Sequence, residues 1–143
     1  MTALADMTQA QWESLCDGCG RCCVHKVQDE RTAETRYTDV ACRLLDTDAC
    51  RCTRYADRHR LVADCVRLTS RKIPRLDWMP ETCAYRLLHE GKPLPPWHPL
   101  VSNDVESVHR AGISVRGKVV SEHHVDLRTI ERRLVERHVG KSR

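Results

Sequence analysis

The sequence predicts a small α+β domain built from short helices and short hairpins, and three observations lead there. Apolar periodicity never runs far: stretches with helical spacing and stretches of alternating character each last a few residues and end in turn residues. Large core-forming side chains are scarce, with three Trp, three Tyr and no Phe among 143 residues, while 31% of the chain is charged, against roughly 25% in typical globular proteins. Nine residues are cysteine. A core this poor in aromatic area needs another source of cohesion, and a structural zinc bound by thiolates contributes on the order of 10 kcal/mol in small domains. The expected architecture is a single metal-stabilised domain over residues 1–143, carrying a basic helical segment at about 121–143.

Taken in order, Thr8 and Gln11 form a capping box, with Met7 and Trp12 placed as a hydrophobic staple, so a short helix starts at Thr8 and delivers the chain to Cys16. Asp17, Gly18 and Gly20 are the permissive backbone positions of the loop that follows. Val24 to Val27 and Thr35 to Thr38 read as short extended pieces around a polar link, and Val40 to Leu45 leads into a turn at Asp46-Thr47-Asp48. Pro80 opens a helix over Glu81 to Glu90 that places Cys83 in its first turn and Gly91 just beyond its end. Lys92 to Pro99 is extended and stiff. Ile113 to Val115 and Val119-Val120 suggest a hairpin across Arg116 to Lys118. Asp126 to Val139 puts Leu127, Ile130 and Leu134 on one helical stripe.

The chemistry lies in the cysteines. Cys16-Asp-Gly-Cys19-Gly-Arg-Cys22-Cys23 packs four thiols into eight positions; thiolates so close repel unless a cation or a disulfide takes up their charge. The N-terminal MTALADMTQAQWESL carries no export signal, so a reducing cytoplasm is the expected location. Disulfides are rare there, and an odd number of thiols could not pair completely. Metal is favoured. Cys16, Cys19 and Cys22 repeat the spacing by which ferredoxin loops hold three irons of a [4Fe–4S] cube, whereas zinc knuckles need only a Cys-x2-Cys pair from each arm. An iron–sulfur cluster is therefore the first expectation and zinc the alternative. Cys23, adjacent to Cys22, is expected to point elsewhere and so not to complete the same cube; it serves a second centre or is an inert buried thiol. Cys42, Cys50, Cys52, Cys65 and Cys83 are further candidate ligands; Cys50-x-Cys52 could set two thiols on one side of an extended segment. The fourth ligand of the tripod stays open. His25 is the nearest histidine and a candidate ligand, His98 between Trp97 and Pro99 the second. Asp17, Arg21 and Lys26 beside the tripod predict partial exposure.

A net charge of +4 would be cancelled by two four-thiolate sites, and the basic C-terminal stretch has no aromatic residue to stack on bases, which argues against nucleic acid. No run of about twenty apolar residues provides for a membrane span. No His-Glu-x-x-His, phosphate-binding glycine loop or Ser/His/Asp set names a reaction.

Cys16-x2-Cys19-Gly-Arg-Cys22-Cys23, Cys42-Arg-Leu-Leu, Cys52-Thr-Arg-Tyr55-Ala-Asp-Arg58 and Cys65 together resemble the CxxCxxCC family, which is described by zinc or iron chelation. From Trp12 through Thr82-Cys83-Ala-Tyr-Arg-Leu-Leu88 and Leu94-Pro-Pro-Trp97-His98-Pro99 to Arg116, the chain is similar to the bacterial YcgN branch of that family. The resemblance implies that Cys16, Cys19, Cys22, Cys23, Cys42, Cys52 and Cys65 are the family-wide set and that Cys50 and Cys83 belong to the branch. A related module in flagellin-lysine methylating enzymes is associated with a [4Fe–4S] cluster. Where the family often has Tyr-x-x-Arg-Pro, this chain has Tyr55-Ala-Asp-Arg58-His59. Two classes of function remain, a small metal protein serving a protein partner or an electron donor or acceptor in redox, sensing or accessory work, and a metal-dependent enzyme with an unrecognised substrate; a zinc-binding structural or interaction protein, with zinc as pure scaffold, is a third possibility.

Overall fold

The computed structural model describes residues 3–141, and side chains as far as Val135. The first helix, α1 (Gln9–Glu13), begins with the expected reciprocal box: the Gln11 amide donates to Thr8 Oγ1 and the Thr8 amide to Gln11 Oε1. The cysteine loop follows and closes with a 3-10 turn (Arg21–Cys23) that runs straight into β1 (Val24–Gln28). The chain then reverses into β2 (Glu34–Ala41), antiparallel to β1, with Val24 opposite Ala41 and Gln28 opposite Thr35. Next comes a two-residue ladder, β3 (Leu45–Asp46) with β4 (Arg51–Cys52). Its turn is set by Asp46, whose Oδ1 accepts from the amides of Asp48 and Ala49, an Asp role general to turns.

The remaining elements are short: α2 (Arg58–Leu61), α3 (Ala84–His89), α4 (Pro99–Ser102), α5 (Ser107–Arg110), β5 (Val120–Ser121) and β6 (Leu134–Lys141). β2 is central. β1 covers one edge, while β5, parallel, and β6, antiparallel, share the other. The fold is α+β, as the short mixed periodicities require.

Three expectations are corrected. The C-terminal helix over 126–139 is absent from the described residues: Leu127–Arg133 forms 3-10 turns kinked at Thr129, and Leu134–Lys141 is strand. Helical spacing gave way to the unpaired edge of β2, whose amides and carbonyls need a ladder. Arg133 locks the entry by a bidentate pair to Asp39, at 2.8 and 3.1 Å. Residues 142–143 of the expected segment lie outside the described residues. The hairpin across Arg116 to Lys118 is instead a turn, because the Val115 amide donates to Cys19 O at 2.9 Å and Arg116 Nε to Asp48 O at 2.6 Å. Val120 pairs with Val40 of β2. Finally, α3 starts later than expected: the Cys83 amide donates to Pro80 O in a turn, and Cys83 becomes the N-cap. Its far end is as read, with Gly91 at φ 74°, the Gly91 amide on Leu88 O and the Lys92 amide on Leu87 O, the six-to-one and five-to-two bonds of a Schellman cap.

Two small cores result. One joins Val24, Tyr37, Ala41, Leu45, Cys50 and Val115. The other joins Leu15, Ile73, Met79, Ala84 and Tyr85, with Met7, Trp12, Trp78 and Cys83 packed against it. The cysteine loop runs from Leu15 in the second core to Val24 in the first.

Candidate metal centre

The loop owes its shape to its non-cysteine residues. Asp17 is buried, and its Oδ1 accepts from the Cys19 amide at 2.9 Å, folding Cys16–Cys19 into an Asx turn. Gly18 and Gly20 take φ of 81° and 74°. At Gly20 there is no room for a side chain: a Cβ would stand 2.8 Å from Val115 Cγ2 and 3.2 Å from Cys50 Cβ. The loop is thereby pressed onto the first core. Its backbone also holds the far part of the chain, through Cys19 O to the Val115 amide and through Arg21 Nε to Ile113 O at 2.8 Å.

The thiols form a connected set. Burial pushes Cys16 up to about 11, with repulsion from Cys22 next. Burial also holds Cys19 well above the usual range, followed by Asp17, Cys22 and Cys16. Cys22 differs, and the expected divergence of Cys23 from it is not seen: the two sulfurs lie 3.9 Å apart, and the hydrogen bond from Cys23 lowers Cys22 below the usual thiol range while raising Cys23. Cys83 is pushed up to about 12, by burial first, and it feels both Cys22 and Cys16. Cys42, raised mainly by burial, feels Cys52; Cys65, likewise raised by burial, feels Cys22, Cys52 and Cys42. Among the described residues no three metal-ligating side chains are yet drawn around one point. Cys16 and Cys22 nonetheless keep exposed surface while enclosed by protein on most sides.

Positive charge surrounds these sulfurs. Lys26 Nζ donates to Val24 O at 2.8 Å and Cys22 O at 3.2 Å, and lies 4.7 Å from the Trp78 ring centroid and 4.9 Å from that of Tyr37. Burial lowers its pKa, and Cys22, Cys23 and Cys19 work the other way. The Arg51 guanidinium lies over Gly18, 3.2 Å from where its Cβ would stand, and favours the Cys16 thiolate. The Arg21 amide points at Cys19 Sγ, 3.5 Å away. Soft sulfurs, a backbone donor and neighbouring cations, the half-buried Lys26 and the exposed Arg51, are what an anionic thiolate–metal centre needs, so this donor set fits a metal on its own chemistry. Lys26 was already placed beside the tripod by sequence, but Arg51 and the aromatic pair were not legible as site residues, since only the tertiary fold brings Trp78 and Arg51 to the loop.

Other candidates are placed elsewhere. His25 Nε2 pairs with Glu122 Oε2 at 2.7 Å. His98 is fully buried; its Nδ1 accepts from the Leu100 amide and its Nε2 donates to Leu15 O at 2.8 Å, so both nitrogens are used in capping α4 and fixing α1's exit. Cys50 does not extend alongside Cys52: it has φ 59°, is buried in the first core, and its thiol approaches Thr47 O and Asp48 O. The exposure expected from Asp17, Arg21 and Lys26 is seen at Cys16 and Cys22 instead, because Asp17 turns inward to cap the loop.

Similarity to known proteins converges on these same residues. The CxxCxxCC family, described as a "Putative zinc- or iron-chelating domain", matches residues 15–84, a stretch that holds all nine cysteines. A UPF0260 protein of Rhizorhabdus wittichii is 58% identical over 134 residues, covering 94% of this chain and 90% of its own. Those of Parvibaculum lavamentivorans and Cellvibrio japonicus are 55% and 57% identical, covering 92% and 90% of this chain and 86% and 87% of theirs. The chain belongs to the UPF0260 family. It carries a zinc- or iron-chelating cysteine domain. No solved structure matches it. Among the described residues no helix is long and apolar enough to cross a membrane.

Proposed function

We propose that this is a cytoplasmic iron–sulfur protein that holds a [4Fe–4S] cluster on Cys16, Cys19 and Cys22, with Cys83 as fourth ligand, in a redox, sensing or accessory role toward a protein partner or electron donor or acceptor. The observation that carries the reading is the tripod: three thiols on one loop folded by the Asp17 cap, with Cys19 in the field of Cys16 and Cys22 and Cys16 in that of Cys22. Cys83 is brought to them by the second core, in which Leu15, directly before Cys16, packs with Ala84, directly after Cys83. Bound there, such a cluster would accept and release one electron. Lys26 and Arg51 offset the charge of the thiolates, and the exposed surfaces of Cys16 and Cys22 leave an edge that a partner can approach.

Protein made and purified without oxygen should be brown and contain iron with acid-labile sulfide. Replacing Cys16, Cys19, Cys22 or Cys83 with Ser should empty it, because a neutral hydroxyl is a poor substitute for a soft anion. Cys50→Ser should retain iron. Zinc without sulfide in the same preparation, or iron loss in Cys50→Ser equal to that in Cys16→Ser, would reject the assignment.

A further inference from the structure

The positive charge of the chain is not spread evenly. Residues 51–75 carry eight Lys or Arg against two Asp, while the whole chain has a net charge of only +4, so the rest of the molecule is left slightly acidic and its cationic character lies in this one segment. From Arg51 to Lys72 no residue is buried, which puts the segment at the surface. Two contacts bring it beside the cysteine loop: the Arg51 guanidinium lies over Gly18, and Tyr55 Oη donates to Glu13 Oε2 at 2.6 Å, at the end of α1 that leads into Cys16. Further contacts hold its arginines in place. Arg58 stands 3.7 Å from the Tyr55 ring centroid and donates to Tyr55 O at 2.6 Å, while Arg54 and Arg60 both pair with Asp57, at 3.0 and 3.4 Å. Asp57 takes up one charge and leaves the cluster cationic. Neutralising the thiolates does not account for Arg54 and Arg60, which are paired with Asp57 and keep 54% and 68% of their side chains exposed.

We infer that Arg51, Arg54, Arg58 and Arg60 form a docking surface for the carboxylate-rich face of a protein partner, which seats it beside the exposed Cys16 and Cys22 edge of the cysteine loop. Guanidinium groups match carboxylates in shape as well as charge, and side chains already held by Asp57 and Tyr55 lose little rotamer freedom on binding. Nucleic acid is the poorer fit. The segment's exposed aromatic ring, Tyr55, is covered by Arg58 and tied down through its hydroxyl, so no platform is left for the base stacking that single-strand sites use. A lipid surface fits no better, since Val66 is the only other large apolar side chain exposed between Arg51 and Arg75, too little to enter a bilayer. Charge complementarity of this kind speeds encounter and fixes orientation more than it deepens affinity, which suits a transient partner. That the partner is a redox protein rests on the proposed cluster; the docking does not, and holds for whichever metal the loop carries.

The test is binding of a fluorescent polyglutamate peptide to the whole chain, followed by anisotropy, with iron and zinc counted in the same preparations. Arg54→Gln with Arg60→Gln removes two charges from the surface. Arg128→Gln with Arg132→Gln removes two from exposed positions in the 3-10 turns before β6 and is the control. Affinity is expected to fall about tenfold in the first pair and less than about twofold in the second, and in the wild type to fall as salt rises from about 50 to about 300 mM. Metal content and the thermal transition should be the same in all three proteins, because neither pair belongs to a core or to the cysteine loop. Equal losses in the two pairs, no loss with Arg54 and Arg60 replaced, loss of metal in that pair, or tighter binding of single-stranded poly(U) or phosphatidylserine vesicles than of the peptide would overturn the inference. Docking that behaves as expected in protein holding zinc and no iron would count against the cluster alone and leave the surface supported.

Discussion

At the scale of single residues, the loop is held by groups that never touch a metal. Gly20 combines a left-handed backbone with a site where a Cβ would press on Val115 and Cys50. Gly117 has the same φ of 74° with nothing within 4 Å. Gly117→Ala should therefore cost about 1 kcal/mol, for backbone strain alone, and Gly20→Ala about 2–4 kcal/mol, as overpacking adds to it. Denaturant unfolding of the two variants separates these terms. Glu122 gives a second test. Burial pushes its carboxyl up, but the Arg43 amide and His25 outweigh burial and hold it below the usual range. A depressed carboxyl stabilises fully above its unfolded pKa of about 4.3 and loses that contribution as pH falls through the folded value. The stability gap between wild type and Glu122→Gln, about 1–2 kcal/mol near neutral pH, should accordingly narrow below about pH 4.

Elements show where local pattern was decisive and where it was overruled. The Thr8–Gln11 box, the Asp46 turn and the Gly91 cap were legible because each is a contact within a few residues of itself. The stripe of Leu127, Ile130 and Leu134 was legible too, but it competed with β2, whose free edge lies about a hundred residues away in sequence and cannot be read from the stripe. Arg133→Ala should leave the β1–β2 amides protected and speed hydrogen exchange along Leu134–Lys141, since the partly exposed pair with Asp39 is worth about 0.5–1 kcal/mol. His98 illustrates the opposite error. A histidine between Trp97 and Pro99 is a reasonable ligand in sequence, yet it joins α4 to the end of α1. His98→Ala should cost about 3 kcal/mol, through a cavity and an orphaned Leu15 carbonyl, with metal content unchanged in the folded fraction.

For the whole molecule, the cysteine loop connects two cores that are each small, while Cys50 serves the first core. The tripod was readable from spacing alone. The membership of Cys83 was not, because it depends on Leu15 and Ala84 sharing a core. Metal bound at this junction would couple the cores, so removing it should replace one cooperative thermal transition by a broad or low one; calorimetry of metal-free and loaded protein checks this. The central claim, a redox-active cluster on the tripod, is tested most directly by voltammetry of anaerobically purified protein, with iron counted before and after cycling and EPR recorded on reduction. A reversible one-electron couple, an EPR signal in the reduced state and unchanged iron are the predicted result, and intact metal with no couple anywhere in the range of iron–sulfur proteins would contradict it.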